Sequence, residues 1–148
     1  MSLKNQIQEE VKNAMRAREK ERLSVLRLIS AAIKQREVDE RVELDDEQVL
    51  LVLDKMLKQR RESLEQYEKA AREDLAAQER FELELISAFM PEPLSEDELN
   101  KLIKAAIAES GATSLRDMGS VMNSLRPSVQ GRADMKLVSQ AVKSQLGA

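Results

Sequence analysis

Four cations near the C-terminus, Arg126, Arg132, Lys136 and Lys143, are the residues whose type and spacing suit a definite chemistry, and that chemistry is contact with phosphate. They flank the stretch Arg126-Pro127-Ser128-Val129-Gln130-Gly131-Arg132-Ala133-Asp134. Pro127 fixes its own backbone angle and biases Arg126 toward an extended conformation. Gly131 adopts angles closed to other residues and lets another backbone come close. The expectation is a structural turn made by Pro127, Gly131 and Asp134 between a helix ending near Leu125 and a final helix. Gln130 and Gly131 join Arg126, Arg132, Lys136 and Lys143 as the candidate nucleic-acid-binding set. The plainer reading of Arg126 and Arg132 is that they cap helix carbonyls or pair with Asp117 or Asp134.

Other candidate chemistry is sparse. The chain has no His and no Cys, which removes imidazole acid–base catalysis, thiolate nucleophiles, disulfides and the usual zinc ligands. Glu37, Asp39, Glu40, Glu43, Asp45, Asp46 and Glu47 form an acidic run, but the alternation and central Gly of a calcium loop are missing. It reads as a solvated connection ending in an N-cap at Asp45 or Asp46. No nucleotide-binding Gly loop is present. Catalytic residues, metal and cofactor are all expected to be absent. Arg60 lies on an apolar stripe between Leu57 and Leu64, with its stem expected over the core edge and its head in water.

The charge supports a local reading of the cations. The 148 residues carry 24 basic and 27 acidic side chains, a net charge of −3, which disfavours broad capture of nucleic acid. Residues 110–148 hold five basic groups (Arg116, Arg126, Arg132, Lys136, Lys143) against Asp117 and Asp134, giving +3 and leaving −6 for the rest. Aromatic residues are 2% of the chain, which argues against single-strand binding by base stacking but not against recognition of structured RNA by shape. The N-terminal residues lack a signal-peptide apolar run, so no membrane partner is expected and cytoplasmic residence is the default.

Helices must position these groups. Charged residues make up 34% of the chain, and apolar residues recur at three- and four-residue spacing. That predicts an all-α fold: four helices at about 3–18, 20–38, 47–71 and 73–89, then three short ones. The second reads as apolar on most sides and covered on more than one face. Exposed Glu65–Lys69 and Glu68–Arg72 pairs are expected on the third and its end. Met90-Pro91-Glu92-Pro93 stops the fourth and marks a boundary, dividing a helical domain of residues 1–90 from a three-helix domain of residues 91–148. Ser95 with Glu98 opens the fifth helix, Gly111 closes it, and Ser114 with Asp117 opens the sixth. Met118 and Met122 read as core. No internal repeat is visible.

With those elements placed, the chain resembles the GatB/YqeY family essentially from end to end. The resemblance is carried by Lys20-Glu21-Arg22-Leu23-Ser24-Val25-Leu26-Arg27, Lys58-Gln59-Arg60-Arg61-Glu62-Ser63, Arg72-Glu73-Asp74-Leu75 and Phe89-Met90-Pro91. Asp117-Met118-Gly119, Val121-Met122, Pro127, Gly131-Arg132-Ala133-Asp134 and Lys136-Leu137-Val138 complete it. It implies a free-standing accessory protein similar to the tail of the B subunit of the tRNA-dependent amidotransferase. That carbon–nitrogen ligase uses glutamine as amide donor. The implied partner is tRNA, without an active site in this chain; the alternative is a protein–protein adaptor docking through the C-terminal helices. The family commonly has Lys at the positions of Ser120 and Gln130, and Gly at those of Asn123 and Met135, so the RNA-facing turn that the resemblance implies carries two fewer cations here, which counts against nucleic-acid affinity.

Overall fold

The computed structural model describes residues 1–147 and is all-helical, with no strand among them. Contacts divide it into two compact units, the first ending at Met90 and the second starting at Pro91. The first contains α1 (Leu3–Arg16), α2 (Lys20–Glu40), α3 (Asp46–Lys69) and α4 (Glu73–Ser87).

Ser2 caps α1 by accepting from the Asn5 amide, and Leu3, Ile7 and Ala14 turn inward. α1 stops at Arg16 although the helical pattern runs on, because Arg18 takes the left-handed conformation at φ 57°. The Glu19 amide then reaches back to the Ala14 carbonyl at 3.0 Å, the six-to-one bond of a Schellman turn. α3 ends the same way. Ala71 sits at φ 54°, and the Arg72 amide donates to the Tyr67 carbonyl at 2.9 Å. Arg41 closes α2 at φ 56°. None of the three turns uses glycine.

The acidic run is exposed apart from the half-buried Glu37 and ends in an N-cap at Asp45, as its sequence implies, while several of its carboxylates also make local bonds. Asp45 and Gln48 form a reciprocal capping box at the start of α3. Asp46 Oδ1 accepts from the Leu3 amide at 2.8 Å. Glu37 accepts from Lys4 Nζ at 2.7 Å and from the Leu44 amide at 3.0 Å, fastening the α2–α3 connection to α1.

The core of this unit gathers Leu26, Ile29, Val49, Leu53 and Ile86, all essentially inaccessible, with their neighbours. α2 packs against α1, α3 and α4, covered from more than one side as its composition implies, though not all round. Val25, Leu26, Ile29 and Ile33 are buried, while Leu28 and Val38 face outward because no further helix packs there. On α3 the last core side chain is Leu57, and on α4 the core resumes at Phe81. The intervening α3–α4 hairpin therefore continues beyond the core, by about 18 Å for the twelve residues after Leu57. Ala76 is buried there, yet belongs to no part of that core. At its tip Arg80 pairs with Glu68 and Glu73, and Arg72 with Asp74. The expected Glu68–Arg72 pair is thus replaced by partners from α4, while Glu65–Lys69 forms at 3.1 Å.

The second unit packs α5 (Glu96–Ser110), α6 (Met118–Val129) and α7 (Met135–Gly147) around Ile103, Val121, Leu125, Val129, Val138 and Val142. Ser95 caps α5, and Gly111 closes it at φ 67°. Ser114 and Asp117 form a capping box on a short 3-10 turn, Leu115–Asp117, leading into α6. Met118 and Met122 pack against the core.

α6 corrects one expectation. It runs through Pro127 to Val129, with Arg126 helical rather than extended. Proline costs the helix the bond its missing amide would make to the Asn123 carbonyl and crowds that carbonyl with its ring, about 3 kcal/mol in all. Leu125 and Val129, one turn apart, are both buried, and each stabilises the last turn by about 1.5–3 kcal/mol. Burial wins, and the turn begins at Gln130 rather than at Pro127.

Candidate functional site

The α6–α7 turn holds Gln130, Gly131 and Arg132, with Arg126 one turn earlier on α6 and Lys136 and Lys143 on α7. Gln130 ends α6, its amide bonded to the Arg126 carbonyl at 3.0 Å. Gly131 follows at φ 75°, a left-handed position that turns the chain. The Arg132 and Ala133 amides both donate back to the Val129 carbonyl. Asp134 Oδ1 then accepts from the Lys136 amide at 2.9 Å, opening α7.

Arg132 is tied into the structure rather than presented. Its carbonyl accepts from the Leu94 amide at 2.8 Å, and its Nε donates to the Glu92 carbonyl at 3.1 Å. Glu98 Oε2 lies 4.0 Å from its guanidinium. These two hydrogen bonds clasp the segment before α5 to the α6–α7 turn. Neither Asp117 nor Asp134 is its partner.

The other three cations are free of acids. Arg126 is exposed, its guanidinium reaching only Asn123 Oδ1 at 3.5 Å. Lys136 and Lys143 are exposed on α7; seven residues apart, they lie on one side of the helix, about 10 Å apart along its axis. No ion pair to Arg126, Lys136 or Lys143 is present among the described residues. A cleft of about 680 Å³ beside the clasp is lined in part by Leu94, Leu99, Arg132 and Leu137, and Leu137 is 59% exposed.

The first unit holds a polar cluster that the sequence reading placed wrongly. The Arg60 head is largely turned inward rather than out to water, its side chain 17% exposed. Its Nη2 lies 3.4 Å from Glu82 Oε1, its Nη1 donates to the Met56 carbonyl at 3.4 Å, and its Nε is buried without a partner. Glu82 is 8% exposed and also accepts from Gln78. Glu79, one turn before it, has a buried oxygen with no partner. Burial pushes the Glu79 carboxyl above its ordinary value, the charge of Glu82 adds to this, and Arg60 opposes it. The signal was present in the sequence: Glu79 and Glu82 fall at the inward spacing of Leu75, Ala76 and Ile86.

A second cleft of about 680 Å³, lined in part by Arg18, Lys20, Phe81, Glu84 and Leu85, brings no nucleophile–base pair together. No group of three or more metal-ligating side chains converges among the described residues. Among the described residues no helix is long and apolar enough to cross a membrane.

Fold and site together define a class: a two-unit helical protein whose small C-terminal bundle displays unpaired cations. Residues 4–146 match the family described as Yqey-like protein, and the chain belongs to that family. Its members are free-standing relatives of the C-terminal domain of the amidotransferase B subunit. The chain is 30% identical over 145 residues to "Altered inheritance of mitochondria protein 41, mitochondrial" of Pyrenophora tritici-repentis, covering 96% of this chain and 80% of that protein. The protein of the same name from Eremothecium gossypii is 34% identical over 57% of this chain and 46% of its own length. That from Vanderwaltozyma polyspora is 24% identical over 94% of this chain and 79% of its own. These names correct the expectation of cytoplasmic residence, since the relatives carrying them are designated mitochondrial. A default drawn from a missing signal peptide addresses secretion and says nothing about organelles.

Proposed function

We propose that the chain is an accessory protein that holds structured RNA, tRNA foremost, on the exposed cations of its C-terminal unit, in connection with tRNA-dependent amide transfer carried out by a partner's active site. The observation supporting this is that Arg126, Lys136 and Lys143 are exposed and without acidic partners in an acidic chain. Cations left unneutralised by their own protein suit an external polyanion, and each phosphate they neutralise releases a counterion. The mitochondrial names of the relatives indicate the compartment in which to look.

Filter binding with purified tRNA at several salt concentrations tests the reading. Replacing Arg126, Lys136 and Lys143 together by Ala should abolish measurable affinity at moderate salt. Single replacements should each flatten the log–log salt slope by about 0.7–0.9. Affinity that survives the triple replacement, or none in the unaltered protein, refutes it. Arg132→Ala is a poor probe, because it removes one of the two hydrogen bonds of the clasp.

The adaptor reading draws on the cleft at Leu94, Leu99 and Leu137. It predicts stoichiometric, ribonuclease-insensitive recovery of one protein partner, lost on Leu137→Glu.

A further inference from the structure

The α3–α4 hairpin leaves the core at a cluster whose charges do not balance. Two carboxylates, Glu79 and Glu82, share the single guanidinium of Arg60 between α3 and α4. The polar contacts there are long, at 3.4–3.5 Å. One donor, Arg60 Nε, and one acceptor, Glu79 Oε2, are buried with no partner. An unmatched buried charge is costly, and a carboxylate relieves it by taking up a proton.

Beyond this point little else holds the two helices together. Ala76 is buried, whereas Leu64, Tyr67 and Leu75 are only half-buried. The tip pairs Arg80–Glu73, Arg80–Glu68 and Arg72–Asp74 are exposed and screened by water. A segment with few buried apolar contacts opens locally at low cost. The cluster at its base therefore weighs heavily in its stability.

We propose that Glu79, with Glu82 and Arg60, is a proton-operated latch at the base of the α3–α4 hairpin. Uptake of one proton by Glu79 closes residues 61–78 against each other, and its loss loosens them without disturbing the core. Glu82 on α4 and Arg60 on α3 are the charged groups acting on Glu79.

The sign follows from the direction of the Glu79 shift. A carboxyl whose folded value is raised adds stability below its unfolded value, and that stability is lost as pH rises through the folded value. Loosening therefore develops as pH rises from the ordinary glutamate value through the raised one. The tip carboxylates act oppositely and elsewhere. Arg80 holds Glu73 below its ordinary value and Arg72 does so for Asp74, so their contribution is lost only at lower pH.

Hydrogen exchange by mass spectrometry on the full chain, corrected for the intrinsic pH dependence of exchange, tests the latch. Protection of peptides within residues 61–78 should fall several-fold between about pH 5 and pH 8, while core peptides of α2 and α3 hold steady. Glu79→Gln, which mimics the protonated acid, should keep the hairpin at its acid-side protection throughout. Arg60→Met, which leaves the carboxylates unopposed, should steepen the fall. A hairpin in Glu79→Gln that still tracks the unaltered protein overturns the proposal. So does a pH response shared equally by the core peptides.

Discussion

Replacing Ala71 or Arg18 by glycine should stabilise the N-terminal unit, although each change removes a side chain. Both residues occupy the left-handed region, at φ 54° and 57°, where a Cβ crowds the following carbonyl at a cost of about 1–2 kcal/mol. Glycine escapes that cost but adds about 0.4–1 kcal/mol of freedom to the unfolded chain. The net gain expected is about 0.5–1 kcal/mol per site. The two turns share no partners, so the double variant should gain about 1–2 kcal/mol. Urea denaturation followed by circular dichroism reads this as an upward shift of the midpoint of the first unit. The same substitution one residue earlier supplies the control. Ala17 and Ala70 are right-handed, with φ −81° and −85°, so glycine there should destabilise by about 0.5–1 kcal/mol. If Ala71→Gly lowers the midpoint, or if the two positions in each turn respond with the same sign, the strain argument is wrong.

Pro127→Ala should raise the stability of the C-terminal unit, because the restored amide can bond the Asn123 carbonyl; thermal melts of the full chain would show it in that unit's transition. Leu125→Ala should lower the same transition by about 2–5 kcal/mol, since Leu125 is buried among all three helices' core residues. Lys4 and the Leu44 amide hold the Glu37 carboxyl below its ordinary value. The stability it contributes is present above its unfolded value and lost as pH falls through the folded one. Glu37→Gln should therefore lower neutral-pH stability and flatten the acid limb of a stability–pH curve.

Much of the architecture is visible in the spacing of apolar residues, and the caps at Ser95, Gly111 and Ser114 are written in residue type. Other features depend on tertiary contacts that spacing cannot report. Nothing about Arg18, Arg41 or Ala71 advertises a left-handed backbone, so spacing alone carries α1 and α3 two residues past their ends at Arg16 and Lys69. For the same reason the matching turns after α1 and α3 escape a search for repeats: the likeness is in backbone angles, not in side chains. Pro127 misled because its helix-breaking tendency is local, whereas the burial of Val129 is decided by the rest of the bundle. Arg60 was assigned to solvent because its partners come from the next helix. Among the candidate cations, sequence could not separate Arg132, fastened to Glu92, from Arg126, Lys136 and Lys143, which remain uncommitted.

The hairpin beyond Leu57 and before Phe81 has a consequence for engineering and for divergence within the family. Its two strands of helix contribute no side chain to the core, so lengthening both by one full turn, or grafting a reporter peptide at Ala70-Ala71, preserves every core contact. Relatives are free to differ in the reach of this projection while keeping the body that carries it.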